Sequence, residues 1–132
     1  MQLSVDFHSE KPIYQQIRDG IVTGIASGTL QDGDPLPSVR ALGMELGVNL
    51  HTVNKAYKLL QSEGFIEIQR SRGTQVKAGK TAQNAAEFLQ TSGSALRAVL
   101  AEAMRRGIDR AVLHQMIDHF YDQLEGENHA KH

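Results

Sequence analysis

The sequence predicts a mainly α-helical fold with a small β-hairpin, and three observations lead to this fold class. Apolar residues recur at intervals of three and four along five segments, which is the spacing of amphipathic helices. Residues 65–69 alternate apolar and polar side chains, as a half-buried strand does. The glycines Gly28, Gly47 and Gly64 separate the first helical segments and the strand, where glycine favours chain reversal.

The first predicted helix has a single apolar stripe and defined ends. The stripe consists of Ile13, Ile17, Ile21 and Ile25. Pro12 suits the first helical turn, because its missing N–H is not needed there, and Gly28 ends the helix. Residues 31–35 contain glycine, aspartate and proline, which predicts a turn after this helix.

Two shorter helices are predicted next, each with a capping residue before it and a glycine after it. Ser38 caps the second helix and Gly47 ends it, whereas Asn49 caps the third helix and Gly64 ends it. The inner faces of the two helices consist of Val39, Leu42 and Leu46, and of Val53, Ala56, Tyr57 and Leu60.

A pair of strands is predicted after the third helix. The alternating segment 65–69 is followed by a turn at 70–73 and by a second strand at 74–77. Three helices followed by a hairpin describe a winged helix-turn-helix. We assign residues 1–79 to this domain.

The rest of the chain, residues 80–132, predicts two more amphipathic helices separated by Gly107, after a small polar linker at 78–83. Their two apolar faces are too large to be buried by packing only on each other, so they need either the winged domain or a second copy of the chain. We expect the second copy, and hence that this region mediates homodimerisation. The residues expected at the dimer interface are Phe88, Leu96, Val99, Leu100, Met104, Leu113, Ile117, Phe120 and Leu124.

Composition excludes several classes of protein. The chain has no cysteine, which excludes disulfides and thiolate sites. It shows neither a signal-peptide pattern nor an apolar run of transmembrane length, so we expect a cytoplasmic protein without membrane contact. The net charge is −1, yet residues 40–77 carry six Lys/Arg against three Asp/Glu, whereas residues 1–39 carry two against five. The basic excess therefore coincides with the predicted helix-turn-helix.

The outward face of the third helix predicts contact with duplex DNA. An α-helix fits the major groove with its N-terminal residues at the base edges, where amides and hydroxyls can pair with bases. Asn49, His51, Thr52 and Asn54 are placed for base contacts, and Lys55 and Lys58 for phosphate contacts. The alternative for these residues is a solvated amphipathic helix.

Arginines on both sides of the third helix extend this hypothesis. Arg70 and Arg72 lie at the predicted hairpin tip, where they can enter a minor groove, and Gly73 permits close approach to the DNA backbone. Arg40 at the start of the second helix can contact DNA; the alternative is a salt bridge with Glu45 or with a carboxylate of the first helix.

No enzyme or metal site is indicated. The sequence offers neither a nucleophile with a base and an orienting group nor a phosphate-binding glycine loop. His114 and Asp118 are four residues apart, but a single such pair is common on solvated helices. We therefore expect no enzymatic activity, no cofactor and no metal.

A series of short motifs resembles the winged helix-turn-helix domain of the GntR family of bacterial transcription regulators, over residues 10–77. The motifs are PIYQQI from position 12, IASGTL from 25, GDPLPSVR from 33, LGVN from 46, TVNKAY from 52, EG at 63 and RGT at 72. The region of about fifty residues that remains, in two helices, is similar to the small YtrA-type subgroup.

The resemblance implies a function and a partner. Members of this subgroup dimerise through two C-terminal helices and often control genes of neighbouring transporters, so the chain is expected to be a homodimeric repressor that binds a palindromic operator. Arg40, the helix 3 residues 49, 51 and 52, and the wing residues 70–73 match the family's DNA-contacting positions. Many relatives have arginine where this chain has Leu50 and Asn54, so a guanine contact from these two positions is not expected.

Two alternatives stay open from the sequence. The winged domain could be a docking surface of a protein-interaction adaptor, an interpretation that the near-neutral net charge favours. The chain could also be a regulator that responds to a ligand or a metal. A small-molecule effector is not identified by any motif.

Overall fold

The computed structural model describes residues 3–77 and 85–130, and for residues 127–130 it describes the backbone only. The described residues belong to two units. The first contains three helices and a small sheet, and the second contains two long helices. The predicted linker at 78–83 lies outside the described residues.

The three helices of the first unit are α1 (Ile13–Ala26), α2 (Val39–Leu46) and α3 (Leu50–Ser62). As the periodicity predicts, α1 buries its isoleucine stripe, and Ile17 and Ile21 are fully enclosed. Ser38 Oγ accepts a hydrogen bond from the Ala41 N–H at 3.0 Å, so the predicted cap of α2 is confirmed.

Two glycines make the turn between α2 and α3 possible. Gly47 has φ of +69°, a left-handed conformation that ends α2 and that other residues adopt at a cost. Gly43 faces the turn, and an added Cβ would lie 2.8 Å from the Val48 carbonyl oxygen. The absence of a side chain at position 43 therefore lets α2 and the start of α3 approach closely.

The sheet has three strands, β1 (Pro35–Leu36), β2 (Ile66–Gln69) and β3 (Gly73–Val76), in the order β1-β3-β2 and all antiparallel. The predicted hairpin is confirmed as β2 and β3, but β1 was predicted as part of a turn. Pro35 and Leu36 become a strand only because they pair with Gln75 and Thr74 of β3, forty residues away in sequence.

Helices and sheet share one core. It consists of Ile17, Ile21, Leu30, Leu36, Leu42, Val53, Ala56, Tyr57, Leu60, Ile66 and Val76. Every helix and strand of the first unit contributes to this cluster. The burial of α3 on one side therefore fixes which of its side chains face outward.

An ionic network joins α1 to the end of α3. The Arg18 guanidinium donates to both carboxylate oxygens of Glu63, at 3.0 and 2.9 Å, and lies 5.7 Å from the Phe65 ring centroid. Asp19 is held by Arg18 and Lys11. Partial burial raises the pKa of Asp19, but hydrogen bonds from Lys11 and Arg18 lower it by more, so its net pKa lies below the usual value.

The second unit consists of α4 (Ala85–Arg105) and α5 (Arg110–Ala130). Gly107, with φ of +75°, lies between them as the sequence predicts. Gly93 lies within α4 without interrupting it, although glycine weakens a helix through its backbone freedom. Among the described side chains of the two helices, only Ala103 is buried.

None of the described helices has the continuous apolar length that crossing a bilayer requires.

Candidate nucleic-acid interface

The outward face of α3 carries the polar residues that the sequence places at a DNA interface. Val53, Ala56, Tyr57 and Leu60 are fully buried on the inner face. The opposite side presents His51, Lys55 and Lys58 to solvent, and Thr52 and Asn54 are half-buried. The structure therefore brings these five side chains together on the exposed side of α3.

Asn49 serves as the cap of α3. Its Oδ1 accepts a hydrogen bond from the His51 N–H at 2.7 Å. The Asn49 oxygen keeps a second lone pair, and its amide nitrogen carries two N–H groups, so the side chain can still meet a base or a phosphate. The cap fixes the first turn of α3 and restricts the direction of the Asn49 amide.

A buried hydrogen bond ties α3 to the segment before α2. The Tyr57 hydroxyl donates to the Pro37 carbonyl oxygen at 2.7 Å. Burial, with a smaller contribution from the charge of Glu45, raises the pKa of Tyr57 well above its usual value. Because Pro37 directly precedes the cap of α2, this contact positions the start of α2, and with it Arg40, relative to α3.

Arg40 is exposed and makes no ion pair with any described residue, so the alternative of a salt bridge with Glu45 or with a carboxylate of α1 is not observed. Lys55 is placed differently. Its ammonium lies 4.1 Å from the centroid of the Tyr14 ring on α1, within cation–π range. The Tyr14 ring therefore limits the positions that the Lys55 charge can take.

The turn between β2 and β3 forms the tip of the wing. Arg70 and Arg72 are exposed on it, and neither forms an ion pair with the described residues. Gly73 has φ of +73°, a left-handed conformation that residues with a Cβ rarely adopt. The turn therefore favours glycine at this position. Two unneutralised guanidinium groups thus project from a narrow turn.

An open groove runs between α3 and the wing, lined by Asn54, Lys58, Gln61, Ser62, Ile68 and Arg70. Gln61 Oε1 accepts a hydrogen bond from the Ile68 N–H at 3.1 Å. Since β2 is an edge strand, this N–H has no strand partner on its outer side. Gln61 therefore anchors the wing to α3.

Gln61, Ile68 and Tyr14 also belong to this surface, and they are not among the residues predicted from the sequence. Gln61 shares the Lys58 side of α3 at a spacing of three residues, which is a usable signal. Ile68 and Tyr14 offered none, because their positions depend on how the wing and α1 pack around α3.

The predicted dimer residues lie on exposed parts of α4 and α5. Phe88, Val99 and Phe120 have exposed fractions of 63, 58 and 51%, and Met104 reaches 77%. Leu96, Leu100 and Ile117 are also exposed, whereas Leu113 and Leu124 are half-buried. Within the described part of the chain, no three His, Cys, Asp or Glu side chains are grouped so that they could share a metal ion.

Comparison with known proteins decides the family. The model of the gntR family of bacterial regulatory proteins matches residues 13–76. The HTH-type transcriptional repressor YtrA of Bacillus subtilis is 32% identical over 124 residues, which cover 94% of this chain and 95% of that protein. This chain belongs to the GntR family. The relation to YtrA over almost the whole length places it in the YtrA-type subgroup.

Solved structures agree with the family assignment. YtrA from Sulfolobus acidocaldarius, a GntR-family transcription factor, is 44% identical with a TM-score of 0.58, over 70% of this chain and 97% of that chain. AraR(DBD) in complex with operator ORX1 is 28% identical with a TM-score of 0.52, over 58% of this chain and 98% of that chain. As a GntR-family member, the chain is a DNA-binding transcription regulator and not an enzyme.

Proposed function

We propose that this chain represses transcription in the cytoplasm by binding, as a homodimer, to an inverted-repeat operator. The observation that carries this proposal is the groove between α3 and the wing, where Lys58 and Arg70 lie beside Asn54, a side chain predicted to contact a base. Repression is supported by the relative YtrA, which is named a transcriptional repressor.

In this proposal α3 enters the major groove. Its N-terminal turn, with His51 and Thr52, meets the base edges, and Asn54 follows one turn later. Lys55 and Lys58, which lie on the same side of the helix at a spacing of three residues, contact phosphates. Asn49 contributes by holding the first turn, because its amide oxygen serves as the cap.

The wing and α2 supply the remaining contacts. Arg70 and Arg72 enter the adjacent minor groove, whose negative potential attracts guanidinium groups, and Gly73 allows the turn to lie close to the DNA backbone. Arg40 contacts DNA at the start of α2. The Gln61 hydrogen bond to β2 holds the wing at a defined position beside α3.

Dimerisation is supported by the second unit. Its described side chains include more than ten large apolar residues that are exposed or half-buried, far more than the isolated apolar side chains of a typical monomer surface. A second copy would cover the same face on both protomers, as twofold symmetry requires. The two winged domains would then bind two half-sites. The centres of these half-sites would be separated by about one helical turn, roughly 10 base pairs, or by a multiple of that distance.

The test is selection of bound sequences from random duplexes by the full chain, followed by titration of the recovered duplex at several salt concentrations. We expect a palindromic consensus and an affinity that falls steeply with salt, because phosphate contacts release counterions. Recovery of a single non-repeated motif would contradict the dimer. The absence of any salt-dependent duplex binding would overturn the proposal and favour a protein-docking function.

A further inference from the structure

The first residue of α3, Leu50, is a large apolar side chain at the end of the helix that approaches the base edges. It is 38% exposed, and it does not belong to the hydrophobic core or to the residues packed against it. Val48, two residues earlier, packs against the core instead. More than a third of the Leu50 surface is therefore available for contact with DNA.

The backbone at Leu50 is held in place by its neighbours. A Cβ at Gly43 would lie 3.6 Å from the Leu50 Cα, so α2 packs directly against the backbone here. The Val48 N–H donates to the Gly43 carbonyl oxygen at 2.8 Å, and Asn49 caps the turn through the His51 N–H. A side chain on such a fixed backbone has a defined direction, which selective contact with a base requires.

Leu50 also lies on the side of α3 that faces the groove beside the wing. Asn54 and Lys58 follow it at i+4 and i+8, so the three side chains form one row along the helix. Asn54 and Lys58 both line that groove. The row runs from an apolar group at the helix N-terminus to a cation near its other end.

The major groove offers one apolar group that such a side chain can recognise, the C5-methyl of thymine. Guanine, adenine and cytosine present only donors and acceptors there, and leucine cannot pair with them. Contact with the thymine methyl would remove both apolar surfaces from water.

We propose that Leu50 is a specificity-determining residue that selects thymine in each half-site through its C5-methyl group. This inference rests on the proposed DNA-binding surface and adds to it the identity of one base. The preceding residue, Asn49, is held as the cap of α3, so Leu50 is the first helical side chain at this end.

The experiment uses the full chain and the duplex that it recovers from a random-sequence pool. Each thymine of both half-sites is replaced in turn by deoxyuridine, which removes only the methyl group. At one thymine position we expect the affinity of the wild-type chain for the duplex to fall about fourfold for each methyl group lost. This factor corresponds to the loss of one buried apolar group of the size of a methylene. Leu50→Ala should bind the thymine and uracil duplexes equally.

A matched control removes another exposed apolar side chain of the same motif. Met44 lies on α2 and is 80% exposed, so Met44→Ala should keep the discrimination between thymine and uracil. A second readout comes from Leu50→Arg, for which selection should enrich guanine at that position, because arginine pairs with the O6 and N7 of guanine.

The outcomes separate the two proposals. If the wild-type chain selects a palindrome but no deoxyuridine replacement distinguishes it from Leu50→Ala, the assignment of Leu50 is wrong while the proposed function stands. If the chain selects no duplex at all, the proposed function fails first.

Discussion

At the scale of single residues, the cationic side chains of the proposed DNA-binding surface differ in whether another side chain of the protein contacts their charge. Arg40 and Arg72 make no ion pair with the described residues, whereas the Lys55 ammonium lies over the Tyr14 ring. A free guanidinium loses little on binding DNA, because no intramolecular partner has to be given up. We therefore regard Arg40 and Arg72 as the main sources of electrostatic affinity.

Replacing either arginine tests this view. Arg40→Ala and Arg72→Ala should each weaken binding to the selected duplex by about tenfold and, because the dimer loses two contacts, reduce the slope of log affinity against log salt by about two. The measurement is a shift assay at several salt concentrations. Arg106→Ala, which removes the same charge from a pair with Glu102 on α4, is the matched control. Unchanged affinity for both variants would refute the two assignments.

The role of Asn49 as a cap can be separated from a role in base contact. Asn49→Ala should lower the free energy of unfolding by about 1 kcal/mol, because the His51 N–H loses its partner. Asn49→Ser should restore most of this loss, since serine also caps helices well, and should bind the selected duplex nearly as tightly as the wild type. Urea unfolding and titration of the duplex measure both effects. A stable Asn49→Ser variant with lost sequence preference would instead indicate a direct base contact.

At the scale of elements, one side chain of α3 hydrogen-bonds to the outer edge of the wing, in addition to the core contacts of Ile66 and Val76. Gln61 reaches from α3 to the outer edge of β2, and this bond sets the distance between the helix and the wing tip. A wing without this bond would still pair within the sheet, because β2 and β3 share four residue pairs. Its arginines would be less well positioned.

Removal of the amide should therefore affect binding more than folding. Gln61→Ala is expected to reduce the contribution of Arg72, so the double variant with Arg72→Ala should bind only slightly worse than Arg72→Ala alone. Ser62→Ala is the control, because its hydroxyl lines the same groove but donates to Leu59 within α3. Additive effects of the Gln61 and Arg72 substitutions would contradict a positioning role.

Tyr57 connects two elements through its hydroxyl, and its removal should cost stability. Tyr57→Phe leaves the Pro37 carbonyl oxygen without its donor, which should lower the free energy of unfolding by about 1 kcal/mol. Urea denaturation at neutral pH measures this. An unchanged midpoint would show that water replaces the hydroxyl at no cost.

The raised pKa of Tyr57 also predicts a dependence on pH. The folded chain keeps the phenolic proton at pH values where the unfolded chain, with a tyrosine pKa of about 10, has lost it. Stability is then fully present below pH 10 and should fall as the pH rises above that value. The slope of this fall should be smaller in Tyr57→Phe. Equal slopes in the two proteins would assign the effect to other groups.

At the scale of the whole molecule, the first unit has its own core and the second does not. The buried cluster of the winged domain draws on all its helices and strands, whereas α4 and α5 bury only Ala103 among their described side chains. The second unit thus requires a partner surface to cover its apolar residues. We expect the second copy to supply it.

Deletion of residues 80–132 tests this division. The remaining winged domain should fold, as judged by circular dichroism and a cooperative melt, but should bind a palindromic duplex poorly because each half-site is occupied independently. Full affinity of the fragment would refute the dimer argument.

A substitution in the full chain tests the dimer interface itself. Val99→Asp should give a monomer in analytical ultracentrifugation, whereas the control Arg106→Ala should stay dimeric.

Much of this architecture could be predicted because its signals are local. The caps Ser38 and Asn49, the left-handed Gly47 and the isoleucine stripe of α1 each act within a few residues, so the sequence alone places the helices. The family motifs, too, are short and local. The set of polar residues on the outward face of α3 follows directly from where its apolar face lies.

Contacts between distant residues were decided only by the tertiary structure. The strand β1 exists through pairing with β3, the Arg18 bridge to Glu63 spans 45 residues, and Gln61 anchors the wing through a backbone N–H. No periodicity or spacing encodes these partners, because each depends on how whole elements pack. By itself the sequence determined the helices, the β2–β3 hairpin, the Asn49 cap, the family and the outward face of α3. Packing of whole elements added the strand β1, the restraint of Lys55 by Tyr14 and the Gln61 contact to the wing, because these depend on residues distant in sequence.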